Sequence, residues 1–155
     1  MGNREYSFIS AVLQTPYSMR IGPDNNIYYV DGVNPYIIKQ ELSTGSPSYA
    51  ALPGIAFDLD FDENGNFYCG GSGQNLYKVT TNLSSSVAAD YADISIRAVR
   101  VFNGFVYVGG NYSGTDSINP NIGIWKDQIL SSDGELGEKE VVLNWEEFAG
   151  SNSNI

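Results

Sequence analysis

Arg20, Asp60 and Arg100 stand 40 residues apart, each between apolar neighbours: Met19 and Ile21, Leu59 and Phe61, Val99 and Val101. Such alternation sends successive side chains to opposite sides of a strand, so the charged groups share one face, and Asp58 lies on it too. Two chemistries fit this set. The arginines can grip an anionic ligand with their fork of N–H donors. Alternatively, the groups can form an Arg–Asp–Arg ladder of ion pairs that holds neighbouring strands in register.

The run Asp60-Phe61-Asp62-Glu63-Asn64-Gly65 matches the opening of a calcium-binding loop. Such a loop requires a bidentate carboxylate at its twelfth position, and Gly71 stands there. The run therefore reads as a hairpin turn, and calcium is the one cofactor left open. The chain has no histidine, which removes Ser-His and Cys-His nucleophiles, histidine metal sites and the commonest general base. Cys69 is the single cysteine, so no intrachain disulfide forms and the thiol reads as a small buried apolar group. No catalytic set and no metal set emerges. The polar stretches after Gly32, Gly71 and Gly110 carry Asn34, Gln74, Asn75, Asn111 and Tyr112. They are expected to gather as loops on one face, a surface for protein or glycan, with loop 111–121 setting specificity.

The elements that must position these residues are repeats. Met19 and Ile21 return as Leu59 and Phe61, then as Val99 and Val101. Each short strand runs into a turn: Pro23–Asn26, Asp62–Asn66 and Asn103-Gly104. Asn and Gly tolerate the positive φ that tight hairpins demand. The next strand carries Tyr29, Tyr68 and Tyr107 at a step of 39 residues, and the third carries Lys39, Lys78 and Lys126. A weaker fourth strand follows in each repeat, and Glu135–Glu140 reads as the tip of a long hairpin in the third. Four short strands in about 40 residues describe a blade of a β-propeller. The expected fold is all-β, with about three four-stranded antiparallel blades at 17–53, 54–93 and 94–145. Residues 1–16 read as the outer strand of a preceding blade and 146–155 as the lead-in to a following one. Since rings close with four to eight blades, the sequence implies a fragment of a larger ring or an oligomerising partial ring, completed by missing blades or by a second copy.

The phrases GIAFDLDFDENGNFYCGG at 54–71 and RIGPDNNIYYVDG at 20–32 resemble the NHL and gluconolactonase-like group of propellers, whose blades read apolar-x-apolar, Asp-x-x-Gly-Asn, then an aromatic-rich strand. The third blade departs by losing the Asp-x-x-Gly turn, and no WD dipeptide closes a blade, which argues against the WD40 class. The resemblance implies architecture more than activity. With no catalytic set present, the expectation is a non-catalytic binding or scaffolding segment that presents loops to protein or glycan. The resemblance also implies an alternative: part of a metal-assisted lactonase-like hydrolase whose other ligands lie in missing blades.

Composition agrees with this reading. Eleven tyrosines and 17 glycines suit a turn-rich β protein. Eighteen acidic against eight basic residues give a net charge of −10, which disfavours nucleic acid and anionic membranes as partners. No apolar run reaches about 18 residues, so no membrane insertion is expected. The composition, rich in Asn, Tyr, Gly and Ser, points to an extracytoplasmic setting, the bacterial periplasm or surface.

Overall fold

The computed structural model describes residues 15–92, 94–112 and 122–144. Twelve strands and no helix occur among them. They form three four-stranded antiparallel sheets, each a meander in chain order. The first holds β1 (Pro16–Ile21), β2 (Ile27–Asp31), β3 (Tyr36–Gln40) and β4 (Pro47–Ala51). The second holds β5 (Ala56–Phe61), β6 (Phe67–Gly71), β7 (Asn75–Val79) and β8 (Ser85–Asp90). The third holds β9 (Ile94–Phe102), β10 (Phe105–Tyr112), β11 (Ile122–Ile129) and β12 (Leu136–Asn144).

The sheets stack face to face. β5 packs against β1 and β2, and β9 packs against β5 and β6, so the first strand of each blade is the innermost. Alternation along the strands supplies one apolar layer per junction. Tyr28, Val30 and Ile37 of the first blade meet Leu59, Phe67 and Cys69 of the second. Tyr68, Leu76 and Tyr91 of the second blade and its exit loop meet Ile96, Val99 and Val106 of the third. Cys69 is wholly enclosed, and burial pushes its thiol up to about 12, as befits a packing residue.

Turn chemistry fixes the hairpins. Asn25 and Gly65 both have positive φ, at 58° and 86°, and both stand just before the second strand. In the third blade Asn103 and Gly104 have φ of 50° and 77°, a two-residue turn whose twist matches that of the strands it joins.

Register corrects several sequence expectations. Tyr68 pairs with Asp60 and Tyr107 with Arg100; their counterpart opposite Arg20 is Tyr28, not Tyr29. Likewise Gly71 corresponds to Asp31, not Gly32, because those two residues stand opposite Ala56 and Pro16. Pro16 opens the inner strand β1 instead of closing an earlier element. The acidic stretch Glu135–Glu140 runs into β12; the hairpin tip is Leu130–Glu135, closed by a hydrogen bond from Leu130 N to Glu135 O at 2.8 Å. The expectations placed on residues 1–14 and 145–155 lie outside the described residues.

Candidate functional site

The charged set is one connected cluster. Asp58 of β5 is buried, at 7% exposure, and gathers donors from both neighbouring blades. Its Oδ1 accepts from Ser18 Oγ at 2.5 Å and from the Arg20 guanidinium at 3.5 Å. Its Oδ2 accepts from Val99 N at 3.0 Å and from Arg100 at 2.5 Å. Asp60 accepts from Val101 N at 2.9 Å and lies 3.7 Å from Arg20 Nε. The backbone explains why carboxylates stand here. β9 pairs with β10 along one edge only, so alternate N–H groups on its other edge need acceptors. Asp58 and Asp60 supply them at Val99 and Val101. Arg20, Asp58, Asp60 and Arg100 thus tie three inner strands together, and two cations balance two anions. Any ligand gripped by the arginines shares them with these carboxylates; Arg100, with its side chain 54% exposed, is the more accessible.

At one end of the inner strands lie the hairpin turns. Asp62 accepts from Asn64 N at 3.0 Å, Asn66 N at 2.8 Å, Asn66 Nδ2 at 2.9 Å and Tyr68 Oη at 3.4 Å. Its carboxylate closes the turn. No group of three or more metal-ligating side chains occurs among the described residues. Asp24 plays a similar part in the first blade, accepting from Asn26, Tyr28 and Lys39. A groove of about 600 Å³ separates the turns of the second and third blades, lined by Asp62, Asn64, Phe102 and Ser131 among others.

The opposite end carries the loops between the second and third strands. Asn34 lies there, and its Nδ2 donates to Asp31 Oδ2 at 2.9 Å. Gln74 donates to Asp90 at 3.1 Å across the β7–β8 edge. Asn75 and Asn111, expected in loops, are strand residues of β7 and β10. The backbone of Tyr112 ends β10, and its side chain lies outside the described residues, as does loop 113–121.

The sequence reading missed a second feature at this end. Each inner strand shifts register once near its start: between Pro16 and Ser18, between Ala56 and Asp58, and opposite Gly109 and Gly110. The extra residue is Tyr17, Phe57 and Arg97 in turn. A bulge re-aims its side chain away from the regular alternation, and these three meet. The Tyr17 and Phe57 rings lie 5.3 Å apart with planes tilted by 30°, and the Arg97 guanidinium sits 5.0 Å from the Phe57 ring centre. Arg97 Nε also donates to Asn111 Oδ1 at 2.9 Å. The ladder draws one residue from each blade. Its signal in the sequence was the same step of 40, at 17, 57 and 97.

With this geometry in hand, comparison with solved structures identifies the architecture. About 84% of the chain superposes on one from a nidogen/laminin complex, at TM-score 0.63 and 16% identity. Similar matches cover 84% of the chain on the RRP9 WD40 repeats at TM-score 0.57 and 11% identity, and 83% on a Bacteroides caccae protein of unknown function at TM-score 0.58 and 13% identity. The chain has the β-propeller fold. It spans 48%, 39% and 49% of those chains respectively, less than half of each. No family model and no curated protein matches the sequence.

Proposed function

We propose that the chain is a non-catalytic binding segment of a β-propeller that presents its loop end to a partner protein. The ladder of Tyr17, Phe57 and Arg97 carries this reading. Aromatic rings and arginine are the side chains on which protein interfaces concentrate their binding energy. Here they stand on strands that the Asp58 cluster ties together, an arrangement that lowers the ordering cost of binding. The solved propellers it resembles include one in a nidogen/laminin complex, which supports a protein partner over a glycan. The phrases at 54–71 and 20–32 favour NHL-type blades as its relatives within the fold.

Selection of random peptides on the immobilised chain tests this. Selected peptides should lose at least about tenfold in affinity on Tyr17→Ala, and keep it on Asn64→Ala at the turn end. Peptides indifferent to Tyr17, or no selected peptide at all, would overturn the reading. So would steady turnover of any member of a lactone and ester panel.

A further inference from the structure

We infer that the ladder is a subsite for one carboxylate of the partner and a neighbouring ring on the same segment, an acidic-x-aromatic sequence in extended form. The inference rests on the loop-end reading above and names the chemistry it would recognise.

Arg97 is singular among the arginines in the described residues. Arg20 and Arg100 face carboxylates, whereas Arg97 gives Nε to Asn111 Oδ1 and has no ion pair. Among the described residues its terminal nitrogens carry no partner. Asn111 and the Phe57 face hold the guanidinium in place, which leaves a preorganised fork of the shape a carboxylate fills with two parallel hydrogen bonds. Beside it, Tyr17 is 59% exposed, which leaves part of its ring open to a second ring. Both groups touch the same Phe57 ring, at 5.3 and 5.0 Å. The Tyr17 ring and the guanidinium therefore lie within about 10 Å of each other, in reach of two side chains on one face of an extended peptide, about 7 Å apart at their Cβ atoms.

The rest of the molecule narrows the partner. A net charge of −10 repels a strongly acidic segment over long range, so the carboxylate belongs to an otherwise neutral stretch. A neutral sugar offers the fork hydroxyl acceptors without charge, a weaker match than a carboxylate.

The test is an NMR titration of the full chain with two peptides, acetyl-Gly-Glu-Gly-Tyr-Gly-amide and its Gln counterpart. The Glu peptide should shift the Arg97 Nε–H and the Phe57 and Asn111 amides saturably, and bind about tenfold more tightly than the Gln peptide, the strength of a charge-assisted bond. Arg97→Gln should level the two peptides, and Phe57→Leu should weaken both. Unchanged melting of both variants guards against misfolding. Equal binding of the two peptides, a preference that survives Arg97→Gln, or absence of saturable shifts overturns the inference, while the peptide selection above still decides the loop-end reading separately. Shifts at the turn-end groove instead overturn both. If galacturonate oligosaccharides bind through Arg97 and the peptides do not, the partner is a glycan and both readings fail.

Discussion

The inner strand of the middle blade carries Asp58 and Asp60 where β1 carries Ser18 and Arg20 and β9 carries Ala98 and Arg100. The backbone positions are the same, but only the middle blade offers carboxylates there. The junction from the second blade to the third is thereby hydrogen-bonded along β9, through the N–H groups of Val99 and Val101. The junction from the first to the second is joined at the corresponding level by side-chain donors alone, Ser18 and Arg20. Burial differs for another reason: Leu59 and Val99 are fully enclosed, each against the blade before it, whereas Met19, at the equivalent position of β1, has no preceding blade among the described residues and is 59% exposed. One repeat can therefore be specialised to hold its neighbours while keeping the shared backbone plan.

The largest break in this comparison should come from Asp58→Ala. It strips Val99 N and two part-exposed guanidinium groups of a buried acceptor, and urea unfolding should show a loss of about 2–3 kcal/mol. Ser18→Ala removes one donor to the same carboxylate and should cost about 1 kcal/mol. Equal effects would mean that Asp58 is not the centre of the cluster. Two glycines in and beside one loop of the middle blade sharpen the point about backbone. A methyl at Gly71 would lie 2.0 Å from Ile55 O, with no flexible side chain to yield. Gly71→Ala should destabilise by about 1–3 kcal/mol, against less than about 0.5 kcal/mol for Gly73→Ala, whose Cβ meets nothing within 4 Å.

Two other carboxylates differ in sign. Burial raises Asp127 above the ordinary carboxyl range, although the Tyr91 hydroxyl and the Lys139 charge oppose it. At Asp24 burial works in the same direction but is outweighed by Lys39, Asn26 and Tyr28, which hold the carboxyl below that range. The raised group contributes stability that is full below about pH 4 and is lost as pH rises through its folded value. The lowered group contributes stability present above about pH 4 and lost as pH falls through its folded value. Asp127→Asn should therefore flatten the decline above pH 4, and Asp24→Asn the decline below it, in melting curves across pH. Matching shifts from both variants would refute the assignment. The smallest effect should be Arg97→Gln, less than about 0.5 kcal/mol on folding, because that side chain is exposed and outside the cluster.

The blades were legible because hydrophobic alternation and turn residues repeat together: Leu59 and Val99, Asn25 and Gly65. The connection among Arg20, Asp58, Asp60 and Arg100 was legible as a shared face, and the sequence favoured a strand ladder over a ligand grip before backbone N–H groups entered the count. Adjacent Tyr28 and Tyr29 both suit a strand, and only pairing with Arg20 tells which one is equivalent to Tyr68. Asn75 and Asn111 looked like loop residues because polarity marks the end of a strand as readily as a loop; Asn75 opens β7 and Asn111 stands one residue before the end of β10. The ladder escaped notice because a bulge interrupts the alternation by which strands are read, and Tyr, Phe and Arg share no type.

The bulges have a further consequence. An inserted residue that takes no part in the sheet's pairing can change identity without disturbing the strand beside it. Positions 17, 57 and 97 can thus change as a trio without breaking a ladder hydrogen bond, and, on the proposed loop-end reading, grafting another trio that still packs over Gly32 would redirect what the scaffold binds.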